Sequence, residues 1–143
     1  MTLPLPEEVS VADDPARELI VAGSGPDRAV WYLTKGAVAV LPPPRLHTRV
    51  VPVESGYRLT VTAQTLVRDL TVLADRVASD AYVDEALVTL LPGETASFHI
   101  HTATAVAPEA FRDPLVLRSA NQLMTTAEPR TVAHRTIRSG MVR

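Results

Sequence analysis

GYRLTVTA, residues 56–63, is the stretch with the clearest alternation of apolar and polar residues. In an extended chain, Tyr57, Leu59, Val61 and Ala63 point one way, and Arg58, Thr60 and Thr62 point the other way. This period of two predicts a strand that is buried on one face only. The preceding run at 46–53, LHTRVVPV, is separated from it by the turn signal Glu54-Ser55-Gly56, so the two runs are expected to form a hairpin.

Further short apolar runs lie on both sides of this hairpin, at 18–22, 28–33, 66–73, 87–91 and 95–102. The run at 66–73 fits a helix or a strand, and its β-branched residues favour a strand. Twelve prolines and six glycines leave little room for long helices. Short strands with a turn about every 8–12 residues predict an antiparallel β-sandwich. The predicted apolar faces include Leu19, Val21, Val30, Tyr57, Leu59, Val61, Leu90, Phe98 and Ile100.

The composition is that of a globular protein. The chain has 143 residues, 46% of them hydrophobic and 21% charged, and the absence of cysteine excludes disulfides and thiolate chemistry. The formal charge is −2, and residues 130–143 hold four arginines and no acid. The rest of the chain is therefore acidic and unsuited to nucleic acid. No apolar run reaches the roughly 20 residues of a membrane span. The first ten residues do not resemble a signal peptide, so a cytoplasmic location without a membrane partner is expected.

Two histidines near the end of the run at 95–102 are the sharpest candidate for metal chemistry. Gly93, followed after five residues by His99-Ile100-His101, matches the opening of a cupin metal motif. Histidines at i and i+2 on a strand point the same way, so both could reach one metal. A third ligand is required, and the next glutamate, Glu109, lies eight positions further on. The apolar neighbours of both histidines would enter the core, which leaves the histidines facing solvent. We therefore expect no metal and no cofactor.

Other catalytic patterns are missing from the sequence. No Gly-x-Ser-x-Gly motif occurs, and His47 and His134 have no obvious acidic partner along the chain. A glycosidase needs two carboxylates held about 5–9 Å apart in a cleft. The acids at 7–8, 13–14, 80 and 84–85 lie in turns or polar connections, where solvated positions are expected. We therefore expect no catalytic residue in this chain.

Trp31 and Tyr32 leave two interpretations open. Aromatic side chains can stack on sugar rings, which makes this pair the candidate ligand contact of the chain. A single tryptophan is also the usual core anchor of a β-sandwich. Aromatic residues make up only 4% of the sequence, which favours the core position.

Five groups of residues form an ordered pattern: DPARELIVA at 14–22, VWYL at 30–33, GYRLTVTA with LVRDL at 56–70, LLPGE at 90–94 and VLRSAN at 116–121. In this order and spacing they resemble the C-terminal domain of bacterial β-mannosidases of glycoside hydrolase family 2. The similarity extends over residues 3–127. The resemblance implies an immunoglobulin-like sandwich of a large enzyme whose catalytic glutamates lie on a separate (β/α)₈ barrel. No residue here matches the barrel motif, so no catalytic role is transferred.

The prediction is thus an all-β chain. It consists of an immunoglobulin-like antiparallel sandwich of about seven strands over 1–127 and a flexible, Arg-bearing C-terminal tail over 128–143. The expected function is that of a non-catalytic accessory domain, with the catalytic domains of a β-mannosidase-like hydrolase as its partner. The parent enzyme would hydrolyse terminal β-mannosides. The alternative is a free-standing module that binds a carbohydrate or a protein.

Overall fold

The computed structural model describes residues 12–24, 27–34, 40–123 and 134–137. The chain forms two compact units. We call Pro42–Thr126 the central unit, and Met1–Leu41 with Ala127–Arg143 the terminal unit. The described ranges contain strands and three short 3-10 helices and no α-helix. None of the helices in these ranges has the length and apolarity needed to cross a membrane.

The larger sheet of the central unit has four antiparallel strands. They are β3 (Leu46–Val53), β4 (Gly56–Ala63), β6 (Tyr82–Val83) and β8 (Thr95–His101), in the order β3-β4-β8-β6. The predicted hairpin is confirmed as β3 and β4, which pair from Leu46 opposite Ala63 to Val53 opposite Gly56. Gly56 has a φ of 140°, and a Cβ there would collide with the carbonyl oxygen of Ile100. The hairpin therefore needs glycine at this position.

The smaller sheet of the central unit has three strands. They are β5 (Val67–Val72), β7 (Val88–Leu90) and β9 (Leu117–Arg118), in the order β7-β5-β9. The structure thus confirms that the run at 66–73 is mainly a strand. The register between β5 and β7 shifts between Val67 and Leu70, and Asp69 has a φ of 53°. The regular pairing of β5 with β7 is therefore interrupted at Asp69.

The hydrophobic core of the central unit lies between the two sheets. Leu59, Val61, Phe98 and Ile100 come from the larger sheet, and all four are fully buried. The smaller sheet contributes Val67, Leu70, Val72 and Leu117, and the 3-10 helix Pro108–Arg112 contributes Phe111. Each apolar side chain of this size stabilises the fold by about 1.5–3 kcal/mol when it is buried. The predicted β-sandwich is confirmed, and its seven strands all belong to the central unit.

The terminal unit contains a separate three-stranded sheet. β1 (Leu19–Ser24) pairs antiparallel with β2 (Asp27–Tyr32) and parallel with β10 (His134–Ile137). The spacing of the runs at 18–22 and 28–33 predicts neighbouring strands, and the pairing of β1 with β2 confirms this prediction. Leu19 and Val21 are buried as predicted, whereas Val30 is only half-buried.

The predicted domain limits, 1–127 and 128–143, do not coincide with the two compact units. Of the tail predicted at 128–143, only His134–Ile137 is described, and these four residues form β10. The rest of that tail lies outside the described residues. The domain limits and the flexibility of the tail stay predictions.

Candidate functional site

The solvent-facing side of the larger sheet carries mainly polar side chains. Residues that are directly opposite each other in a sheet project to the same side, so the register assigns each side chain to a face. Because Tyr57, Leu59 and Val61 point into the core, the alternate residues of β4 point outward. We call this side the outer face. Val51 and Val53 of β3 lie on it and are half-buried, and its other residues are His47, Arg49, Arg58, Thr60, Thr62, Tyr82, Thr95, Ser97, His99 and His101.

Hydroxyl groups occupy the end of the outer face farthest from the β3–β4 turn. Thr62 lies opposite Thr95, and their Oγ1 atoms are 2.8 Å apart, within hydrogen-bond distance. Thr60 lies opposite Ser97 in the next row of the same two strands. Thr95 and Ser97 are exposed. This end of the face therefore offers hydroxyl donors and acceptors to a ligand in solvent.

Two exposed arginines give the outer face its charge. Arg49 lies opposite Thr60, and Arg58 lies opposite His99. Among the described residues, no carboxylate forms an ion pair with either guanidinium. The two carboxylates that border the face are Glu54, in the β3–β4 turn, and Asp84, beside β6. Both arginines are free to meet an anion from solvent.

Three aromatic rings lie side by side near the β3–β4 turn, and we call Tyr82, His101 and His99 the ring row. The Tyr82 and His101 rings stack with centroids 4.7 Å apart and planes at 12°. The centroids of His101 and His99 are 4.0 Å apart. The hydroxyl of Ser55 lies 2.9 Å from Nε2 of His99. The side chain of Tyr82 is 63% exposed, so the row presents an aromatic ring to solvent, and Arg58 lies opposite His99 at the other end of the row.

Two aspartates fix the segments on either side of the ring row. Oδ1 of Asp84 accepts a hydrogen bond of 3.1 Å from the backbone N–H of His99. Asp80 accepts from the N–H of Ala103 and from the hydroxyls of Thr102 and Thr104, at 2.8–2.9 Å. These donors, first the Ala103 N–H and then the two hydroxyls, lower the pKa of Asp80 from 3.8 to about 2. The Asp80 carboxylate thus holds the loop that follows β8.

The two histidines of the cupin-like motif are on the outer face, as the alternation predicted. Phe98 and Ile100 are fully buried, and His99 and His101 are partly exposed on the other side of β8. In the described part of the chain, no group of three or more His, Asp or Glu residues is placed to hold a metal ion. The two imidazoles are neighbours in the ring row, with their planes tilted by 30°.

The interpretation of Trp31 as a core anchor is wrong, because the side chain is 70% exposed. Trp31 lies opposite Ile20 in the β1–β2 ladder, and Tyr32 lies opposite Leu19. Consecutive residues of a strand project to opposite faces, so Trp31 and Tyr32 do not form one platform. A ligand contact at either residue stays a prediction.

An antiparallel sandwich of one four-stranded and one three-stranded sheet around a single core is the architecture of immunoglobulin-fold domains. Residues 41–123 match the Ig_mannosidase family, which is described as an Ig-fold domain. The match covers more than half of the 143 residues, and the chain belongs to this family. The matched range begins and ends within a few residues of the limits of the central unit. The segments at 14–22 and 30–33, which resemble β-mannosidases, lie outside the matched range. No curated protein is similar enough to count as a relative.

Sequence reasoning missed the structural roles of Asp80 and Asn121. Asp80 looked like a solvated turn residue, and its partners are 22 to 24 positions away in the sequence. Asn121 is buried and bonds to residues 53 to 79 positions away. A local pattern contains no signal for contacts of this length. The ring row has no local signal either, because Tyr82 meets His101 only when β6 pairs with β8.

Proposed function

We propose that the chain is a non-catalytic accessory domain of a glycoside hydrolase that cleaves β-mannosides. The observation that carries the proposal is the family match at 41–123, since this Ig-fold family is named for mannosidases. The ordered segments that resemble the C-terminal domain of β-mannosidases support it. In this proposal, the partners of the chain are the catalytic domains of the parent enzyme. The proposal also includes a cytoplasmic location and no nucleic-acid or membrane partner.

The described chemistry of the central unit is consistent with a structural role. The carboxyl of Asp80, whose pKa is lowered, is exposed and holds a surface loop. A general acid in a glycosidase has a raised pKa, whereas the pKa of Asp80 is lowered. The partly exposed histidines of the ring row contact one another, and His99 contacts Ser55. The contacts of Asp80, His99 and Ser55 thus connect the β3–β4 turn, β8 and the loop after β8 at one end of the larger sheet.

The size of the native gene product tests this proposal. An antibody against the central unit, used on extracts of the source cells, should detect a band several times larger than 15.4 kDa. Extracts of cells in which the coding segment has been deleted provide the control. A band near 15.4 kDa would show a free-standing protein and contradict the accessory role. A purified chain that hydrolysed an aryl β-mannoside at an enzymatic rate would contradict the non-catalytic part.

A second candidate function is supported by one observation. The exposed Trp31 side chain would suit a free-standing module that binds a carbohydrate or a protein. Trp31 is the only tryptophan of the chain, so its fluorescence reports on this position alone. Saturable quenching or a spectral shift on addition of mannosides would support the second candidate. An unchanged spectrum at millimolar mannoside would argue against sugar binding at Trp31.

A further inference from the structure

We propose that the outer face binds an anionic oligosaccharide whose sugar units carry carboxylates. The site lies across β3, β4 and β8 and extends to the Tyr82 ring on β6. This inference goes beyond the accessory role and does not depend on it. It concerns a different surface from Trp31, which belongs to the sheet of the terminal unit.

The distribution of charge indicates an anionic ligand. The central unit has seven arginines and nine aspartates and glutamates, so the unit as a whole is acidic. The outer face nevertheless holds Arg49 and Arg58, whereas the carboxylates of Glu54 and Asp84 lie at its border, and Asp84 already accepts a hydrogen bond from the N–H of His99. A guanidinium presents paired N–H donors whose geometry matches a carboxylate. The two guanidiniums, unpaired among the described residues, would therefore be the points of attachment for an anion on this sheet.

Most of the other side chains of the face suit a sugar better than a protein. Thr60, Thr95 and Ser97 can exchange hydrogen bonds with sugar hydroxyls, and the exposed Tyr82 ring can pack against the apolar side of a pyranose. The core of a protein interface is apolar and excludes water. The other large exposed apolar residues, Trp31, Leu87, Leu115 and Leu123, belong to no strand of this sheet. A protein partner would be expected to contact those residues first.

The length of the face fits an extended chain rather than a single sugar. Outward residues of neighbouring strands form rows across the face. The first row contains His47 and Thr62, and the last contains Val53, Gly56 and His101, with one row at every second position of β3 and β4. At about 3.3 Å per residue, the six steps from His47 to Val53 extend over about 20 Å. Arg49 and Arg58 lie in adjacent rows of this strip. Two carboxylates on one oligosaccharide could thus contact the two arginines.

An NMR titration of the ¹⁵N-labelled chain tests the proposal with a defined ligand. The probe is a β-1,4-linked mannuronate hexamer, and the neutral mannose hexamer with the same linkage is the matched control ligand. The mannuronate hexamer should cause saturable shifts at the amides of β3, β4 and β8, and the neutral hexamer should bind about tenfold or more weakly. Addition of about 0.5 M salt should weaken the binding, because exposed charges are screened.

Two variants locate the site. Replacement of both arginines, Arg49→Gln with Arg58→Gln, should weaken mannuronate binding by about tenfold or more, and an unchanged amide spectrum verifies that the variant is folded. Arg112→Gln is the matched control. Arg112 is also exposed, but it ends the 3-10 helix whose Phe111 ring lies 5.2 Å from the Tyr57 ring on the inner side of the sheet. Its replacement should leave the affinity unchanged.

Four results would overturn the proposal. They are the absence of shifts, equal affinity for the neutral hexamer, unchanged affinity in the Arg49/Arg58 variant, and equal affinity for a glutamate hexapeptide. The last result would show that the face recognises acidic protein rather than an acidic glycan. None of these results depends on the size of the native product, so the accessory role and this site are tested separately.

Discussion

Asn121→Ala is expected to be among the most destabilising substitutions of a polar side chain in the central unit. The Asn121 side chain is only 2% exposed, and its amide makes three hydrogen bonds. Oδ1 accepts from the backbone N–H of Arg68 at 2.9 Å. Nδ2 donates to the carbonyl oxygens of Pro42 at 2.8 Å and Leu66 at 2.7 Å. One side chain therefore joins the segment before β3, the start of β5 and the segment after β9.

The size of the effect follows from these three bonds. A hydrogen bond inside a protein contributes about 1 kcal/mol net, so three contribute about 3 kcal/mol. The substitution also leaves the buried carbonyl of Leu66 and the N–H of Arg68 without the partner that Asn121 provides. An unpaired buried group costs about 1–3 kcal/mol, and partial access of water reduces this cost. The expected loss of unfolding free energy is therefore about 3–5 kcal/mol.

Urea unfolding followed by far-UV circular dichroism measures this loss. Gln64→Ala is the matched control, because it also removes a carboxamide but from an exposed position. The control should change the free energy of unfolding by less than about 0.5 kcal/mol. A loss below about 1 kcal/mol for Asn121→Ala would refute the view that this amide joins the three segments. Asn121→Asp should be nearly as harmful near neutral pH, because a carboxylate cannot donate to the carbonyls of Pro42 and Leu66.

Three further predictions concern other parts of the central unit. Phe98→Ala should cost about 3–5 kcal/mol in chemical denaturation, because Phe98 is fully buried, and a change below about 1 kcal/mol would remove Phe98 from the core. Gly56→Ala should lower the thermal midpoint and the yield of folded protein, since a Cβ would collide with the Ile100 carbonyl oxygen; an unchanged midpoint would contradict the observed turn. Asp80→Asn should remove a pH-dependent part of the stability. The folded-state pKa of Asp80 is about 2, below its usual 3.8, so the carboxylate stabilises the fold above about pH 4 and this stabilisation is lost as the pH falls towards 2. Urea midpoints of the two proteins should therefore converge between pH 4 and pH 2, and a constant difference would disprove the role of the charge.

The alternation in β4 and β8 made one part of the fold predictable. Each strand has a period of two, so Leu59 and Phe98 had to share a face, and Arg58 and His99 had to share the other. The turn signal at 54–56 then fixed the pairing of β3 with β4. These features are local, and a local pattern contains the information for them.

The sequence could not reveal features that depend on tertiary contacts. The scarcity of aromatic residues favours a core position for Trp31, but residue type alone does not determine which face of β2 is covered. The stack of Tyr82 on His101 requires β6 to pair with β8, and two residues of strand are too short to show a period. The same holds for the bonds of Asp80, whose donors lie beyond β8.

Stability and surface chemistry depend on different residues of the same strands in this domain. Leu59 and Arg58 are neighbours in the sequence, yet Leu59 is buried between the sheets and Arg58 is exposed on the outer face. Substitutions at exposed outward positions usually change the free energy of unfolding by less than about 0.5 kcal/mol, whereas inward truncations cost several kcal/mol. The side chains of the outer face can therefore be exchanged without loss of the fold. For this reason, a variant that alters mannuronate binding with unchanged stability would identify outward residues, and a variant that alters both properties would identify inward ones.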